Sequence, residues 1–345
     1  MATFCMQTLG CEVSAIHTVN YSNHVAYKTV KGRKTTPEEV AELYEGLKKA
    51  RLANFDMMLS GYCPSAALVE EVGKIGRDAK LRTSTKPGSF FWVLDPVMGD
   101  NGRIYVAEDT VPAYKRLLRD ADLILPNQFE AELLSERKIS DWGSLREAVE
   151  QLHRGFGLPH VLITSIRLPA TGASTPVGKE EGRGKKDGAK LSIIGSTATS
   201  EGRPRLFRIT VPALPVFFSG TGDMLAALLV ARLRQAASAA GVLSKASWQS
   251  PDEVAGPDLP LAKATEKVLA SMHAVLKDTA AHYQSVAKAV SEEQELNEGR
   301  EKEMKQHLIL TRAAEVRVVR NTKALRDPPD LDEFQAQAVE VGLAE

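Results

Sequence analysis

Short apolar segments alternate with stretches of helical periodicity through the first half of the chain, and each apolar segment runs out into a polar cluster. Met57-Met58-Leu59-Ser60-Gly61-Tyr62 reads as a buried strand ending in a glycine turn. Phe90 to Leu94 is an apolar run too short for a free-standing helix and is stopped by Asp95-Pro96. Leu123-Ile124-Leu125 and His160 to Thr164 are strands on the same grounds. Between them, Glu38 to Ala50 places Val40, Leu43, Tyr44 and Leu47 at helical spacings, and Ala66–Ala79, Val111–Arg119, Phe129–Leu134 and Leu145–Phe156 follow. Such alternation predicts parallel βαβ units. Ligands bind such sheets outside the carboxyl ends of the strands. Ser60-Gly61-Tyr62, Asp95 to Asp100, Asn127 to Glu130 and Thr164-Ser165 are therefore expected to converge on one edge.

The chain has 345 residues, and one large α/β domain over 1–345 is the expectation. Lys plus Arg and Asp plus Glu balance at 44 each, so no global field draws nucleic acid or an anionic membrane, and phosphate binding must be local. There is no long apolar run and no leader pattern. Cys5, Cys11 and Cys63 form neither a metal-ligand spacing nor an even disulfide framework, which fits packing in a reducing compartment. The expected setting is the cytoplasm, with the nucleus as a further compartment.

Ala170 to Arg205 turns to Gly, Ser, Thr and Lys and reads as a flexible, solvated loop insertion. A basic nucleic-acid arm is the sharper alternative, but acidic residues interleave and no aromatic is present to stack a base. Leu206 to Val211 reads as a strand, Met224 to Leu233 and Leu261 to Val290 as helices, Glu292 to Lys305 as a charged continuation, and Glu315 to Val319 as a closing strand.

Gly220-Thr221-Gly222-Asp223 lies between Val216-Phe217-Phe218-Ser219 and an apolar helix. A glycine turn feeding a helix start presents unpaired N–H groups and the positive end of the dipole, which suits phosphate. Asp223 there is either a base for an acceptor hydroxyl or a helix cap. Asp95 and Asp100 offer carboxylates to Mg²⁺ or K⁺, or belong to an ordinary turn, and the glycines from Gly99 to Tyr105 allow a mobile cover. Asn127 and Glu130 either order a metal's water ligands or form a capping box.

The Asp-Pro loop, Asn-x-x-Glu and Gly-x-Gly-Asp occur here in a set order. With Tyr21-Ser22-Asn23-His24, Leu43 to Leu47, Asp95 to Asp100, Pro126 to Leu134 and Ile163-Thr164-Ser165, they make the chain resemble the ribokinase-like superfamily and, within it, the fungal type of pyridoxal kinase. The resemblance implies a three-layer α/β sandwich with a mostly parallel central sheet flanked by helices. It implies transfer of the ATP γ-phosphate to the 5′-hydroxymethyl of pyridoxal, pyridoxine or pyridoxamine, with Mg²⁺ and K⁺, in a homodimer. Asp223 matches the base, with Gly220, Thr221 and Gly222 as the anion hole. Asp95, Asp100, Tyr105, Asn127, Thr164, Ser165, Phe218 and Ser219 match the nucleotide side, and Asp95, Asp100 and Glu130 the cations. Val19, Tyr21 and Tyr62, with Asp223, match the side that holds the pyridine ring, where an aromatic neighbour suits a π-deficient ring.

The family begins with a strand and a Gly-containing turn whose serine contacts the vitamer. Met1-Ala2-Thr3-Phe4 instead reads as the interior of the helix after that turn, so an N-terminally truncated form with an incomplete substrate pocket is the expectation. Val25 and Leu125 stand where the family often has a hydroxyl residue and a threonine. Two alternatives follow: a hydroxymethylpyrimidine kinase on the same fold, and a catalytically silent ligand-binding relative.

Overall fold

Side chains alternate in direction along the central strands. Phe91 and Val93 enter one core while Trp92 and Leu94 enter the other, and Leu162 is set against Val161 and Ile163 in the same way. A strand buried on both faces needs helices on both sides, which is the origin of the three layers. The computed structural model describes residues 1–166, 168, 190–292 and 300–339. In chain order the elements are α1 (Ala2–Thr8), β1 (Val19–Tyr21), β2 (Gly32–Lys34), α2 (Pro37–Lys49), β3 (Met57–Ser60), α3 (Ala66–Thr83), β4 (Phe91–Leu94), β5 (Gly99–Asp100), β6 (Arg103–Ile104) and α4 (Thr110–Leu117). There follow β7 (Leu123–Ile124), α5 (Gln128–Ser135), α6 (Trp142–Phe156), β8 (His160–Ile166), β9 (Lys190–Ala198), β10 (Pro204–Pro212), α7 (Thr221–Ala239), α8 (Pro260–Glu292), α9 (Arg300–Ala313), α10 (Thr322–Arg326) and β11 (Gln337–Ala338).

The main sheet runs β11-β10-β9-β8-β7-β4-β3. From β3 to β8 the pairings are parallel, as the alternation predicts. From β8 to β11 they are antiparallel. The two reversals return β10 to the direction of β8, so Pro212 at its end opens on the edge where the parallel strands finish. One core holds α1, α7 and α8 against the sheet, and the other holds α3 to α6. Close packing is visible at Gly76, where a Cβ would lie 2.4 Å from the Trp92 ring. β1 and β2 form a separate antiparallel flap, and β5 and β6 a hairpin.

Two expectations need correction. Of the segment 170–205, residues 170–189 lie outside the described residues, but Lys190–Ala198 is strand β9 and not a loop. Its small polar residues are interior: Ser196 and Thr197 are buried and bond to His153 and His160. Glu315 to Val319 is not the closing strand; Val318–Asn321 is a 3₁₀ turn, and Gln337–Ala338 closes the sheet against β10. Of the charged continuation Glu292 to Lys305, residues 293–299 lie outside the described residues; Glu292 belongs to α8, and residues 300–305 are helical in α9.

Candidate active site

Ser60 ends β3, Asp95 follows β4 and Asn127 lies just past β7, whereas Thr164 and Ser165 lie inside the last part of β8; α7 begins beside Asp95. Gly220 caps α7 at φ +84°, a left-handed conformation that glycine adopts without strain. A Cβ on Gly222 would stand 3.9 Å from Asp95 Oδ2, an ordinary contact distance, so the start of α7 lies against the end of β4. Asp223 lies in the first turn of α7 and its side chain is open to solvent. The surrounding walls desolvate its carboxyl enough to raise its pKa above the ordinary range, while the Met1 ammonium and the His24 imidazole pull it back.

Asp95 is more strongly perturbed. Burial raises its pKa well above normal, and the charges of Glu130 and Asp223 push in the same direction. Glu130 is 3% exposed. Its Oε1 accepts from the N–H of Met98 at 2.8 Å and of Gly99 at 3.3 Å, and its Oε2 from the N–H of Asn127 at 2.9 Å. Burial lifts Glu130 to about 7 against the opposing pull of those three donors. Asn127 Oδ1 accepts from the Glu130 N–H at 2.9 Å, completing a capping box for α5, and Asn127 Nδ2 donates to the Gly99 carbonyl at 2.7 Å. The pair therefore locks the Asp95 to Gly99 loop to the start of α5.

The hairpin beyond that loop turns on Asn101 and Gly102, both at positive φ, as a two-residue hairpin turn requires. Asp100 is exposed there and accepts from the Asn101 N–H at 2.8 Å. Tyr105, 57% exposed, follows the hairpin and feels the charges of Glu130 and Asp95. A cleft of about 720 Å³ brings together Asp100, Thr164, Ser165, Phe218, Thr221 and Gly222, a size suited to a small organic ligand. Thr164 and Ser165 reach it from an irregularity in β8 between Ile163 and Ile166, where the register shifts. Leu269, Met272, His273 and Leu276 of α8 also line it. Their spacing was legible as an apolar helical stripe, which sequence reasoning assigns to core.

On the other side of Asp223 lies the flap. Val19 and Tyr21 of β1 are half-buried, and Thr18 Oγ1 donates to the Tyr62 carbonyl at 2.7 Å. Burial raises the Tyr62 phenol, and the Tyr21 phenol adds to it. Gly32 is obligatory in this flap: at φ +136° a Cβ would fall 2.0 Å from the Asn20 carbonyl oxygen. His24, beyond the flap strand, joins the site through its field on Asp223; it stood in a quoted motif without an assigned role. Ser219 pairs with Glu315 in an isolated parallel bridge.

Among the described residues, no three His, Cys, Asp or Glu side chains converge to hold a metal ion. Asp95, Asp100 and Glu130 thus do not form a three-carboxylate cage. Both Glu130 oxygens are engaged by backbone donors. What the donor chemistry does fit is a hydrated divalent ion, which needs one or two carboxylates and takes its other oxygens from phosphates and water. Asp95, whose charged neighbours Glu130 and Asp223 are both negative, suits that arrangement.

The chain matches a family model described as phosphomethylpyrimidine kinase over residues 78–185. It is similar to the pyridoxal kinase of Sus scrofa, 37% identical over 235 residues that cover 67% of this chain and 68% of the relative. It is 35% identical to the pyridoxal kinase of Homo sapiens over 240 residues, covering 67% of this chain and 70% of the relative. Among solved structures, pyridoxal kinase from Leishmania donovani in complex with ADP matches at a TM-score of 0.72 and 26% identity, covering 99% of this chain and 93% of that one.

Proposed function

The chain belongs to the pyridoxal kinase family, and we propose from that premise that Asp223 is the base with which it phosphorylates its substrate. It is an ATP-dependent kinase of the vitamin B6 vitamers, acting on the 5′-hydroxymethyl group. The observation that carries the role of Asp223 is its position at the start of α7, between the cleft lined by Thr221 and Gly222 and the flap that carries Tyr21 and His24.

In this assignment Asp223 takes the proton of the vitamer hydroxyl. The freed oxygen lone pair forms the bond to the γ-phosphorus of ATP, the bond from that phosphorus to the bridging oxygen breaks, and ADP leaves with the electron pair. The N–H groups at Gly220, Thr221 and Gly222 and the positive end of the α7 dipole face the charge that develops. A raised pKa favours Asp223 as a proton acceptor near neutral pH. Thr164, Ser165, Phe218, Ser219, Asp100 and Tyr105 surround the nucleotide, with Asn127 positioning the loop beneath it. Val19, Tyr21 and Tyr62 enclose the pyridine.

We assign Mg²⁺ to the Asp95 side, where Asp95 would hold it with Asp100 and Glu130 adding negative charge, and K⁺ would be the monovalent partner. When bound, Mg²⁺ supplies neutralisation of phosphate charge. Among the described residues no helix is long and apolar enough to cross a membrane. Free Cys5, Cys11 and Cys63 support a reducing cytoplasmic or nuclear setting. Family membership supports a homodimer, each chain one kinase domain over 1–345.

The matched family model favours one rival substrate, a hydroxymethylpyrimidine. Purified protein with ATP, Mg²⁺ and K⁺ is expected to convert pyridoxal to its 5′-phosphate in preference to hydroxymethylpyrimidine. Phosphorylation of the pyrimidine alone would replace the proposed substrate, and turnover of neither would point to a silent relative.

A further inference from the structure

The tip of the flap is tied to a helix far along the chain. Val25–Tyr27 forms a 3₁₀ turn capped by His24, whose Nδ1 accepts from the Ala26 N–H at 3.1 Å. Two residues at and beyond α9 grip that turn. His307 Nε2 donates to the Ala26 carbonyl at 2.8 Å, which requires the proton on that nitrogen. The Tyr27 hydroxyl donates to Glu315 Oε1. Glu315 is also the residue whose backbone bridges to Ser219, immediately before the Gly220 turn. One residue thus meets the cover of the acceptor side with its side chain and the phosphate-binding turn with its backbone.

We propose that Glu315 is a positioning residue of the phosphoryl transfer, holding the flap tip through Tyr27 in fixed register with the turn from Gly220 to Asp223. The inference rests on the proposed kinase reading, because it gives that register a purpose: the acceptor hydroxyl must be held against Asp223. Ser22 and Asn23 close the flap on itself, through the Ser22 N–H to the Lys31 carbonyl at 2.7 Å and Asn23 Nδ2 to the Thr29 carbonyl at 2.8 Å. Those bonds shape the flap without placing it. His307 also holds that turn to α9 and Thr18 holds the flap to Tyr62, while Glu315 is the residue among these that also meets the segment entering the anion hole. Glu315 touches neither the hydroxyl nor the phosphate, so loosening it weakens vitamer binding more than it slows the bound complex.

The test is steady-state kinetics of Tyr27→Phe, Glu315→Ala and Glu315→Gln together with hydrogen exchange of residues 22–31 in the absence of substrates. Loss of one hydrogen bond to a charged acceptor corresponds to about a tenfold rise in KM for pyridoxal in Tyr27→Phe and Glu315→Ala. KM for ATP and kcat are expected to stay within roughly threefold. The double variant Tyr27→Phe/Glu315→Ala is expected to be no worse than either single one, since both remove the same bond. Glu315→Gln keeps an acceptor oxygen and is expected to restore both KM and the slow exchange of residues 22–31. An unchanged KM in Tyr27→Phe, or multiplying effects in the double variant, would overturn the proposal. The exchange readout needs no turnover. A wild-type protein that fails to phosphorylate pyridoxal would remove the kinase reading, whereas unaltered exchange in Glu315→Ala would remove the tie.

Discussion

Asn127 Nδ2 donates to the carbonyl of Gly99 at 2.7 Å, joining the exit of β7 to the hairpin that follows its neighbour β4. Glu130 completes the joint with three backbone donors, so the carboxylate holds the loop that presents Asp95. Glu130→Gln leaves an amide NH₂ facing N–H groups that need acceptors. Stranding buried donors costs about 1–3 kcal/mol each, so a loss of a few kcal/mol in urea unfolding is expected, accompanied by weaker ATP binding.

Gly220→Ala tests the turn itself. At φ +84° an alanine is strained by about 1–2 kcal/mol, and its Cβ would stand 3.0 Å from Met1 Cε. A lowered melting temperature and a reduced kcat with little change in vitamer KM are the expected results, read by calorimetry and initial rates.

Two buried histidines are expected to weaken the fold at acid pH. His153 Nδ1 donates to the Leu158 carbonyl at 2.7 Å and its Nε2 accepts from Ser196 at 2.8 Å. His160 Nε2 donates to the Ser247 carbonyl at 2.7 Å and its Nδ1 accepts from Thr197 at 2.8 Å. Each ring is thereby held as a neutral tautomer. Burial lowers both from 6.5 to about 4. Between those values the unfolded chain binds the more protons, so stability is complete above the ordinary pKa and is lost as pH falls toward the folded one. The loss is about 3 kcal/mol for each ring taken alone. Urea unfolding at a series of pH values from 7 to 4 is expected to show it, and His153→Gln is expected to flatten the slope.

The parallel half of the sheet was legible because strands from β3 to β8 are continuous apolar runs, each cut by a Pro or Gly signal. Asp95 and Asn127 could be placed at strand ends from that pattern, whereas the residues around Asp223 alone left it open between base and helix cap. Glu130 could not be resolved between capping box and ion site, and the structure builds the capping box. β9 was illegible because Gly195, Ser196 and Thr197 have the composition of a loop; in the interior Ser196 and Thr197 are satisfied by His153 and His160. Gly195 is needed there for another reason, since a Cβ would fall 2.1 Å from the Phe207 ring. The link from Tyr27 to Glu315 spans 288 positions in sequence, and no local periodicity reports a contact of that range.

Asp223 carries the central claim, and turnover of pyridoxal by Asp223→Asn beside the wild-type protein measures it most directly. Asparagine keeps the size and polarity of the side chain but cannot accept the hydroxyl proton. A loss in kcat of about 10²–10⁴-fold is expected, with ADP affinity within roughly twofold of wild type. Near-normal turnover by Asp223→Asn would contradict the assignment.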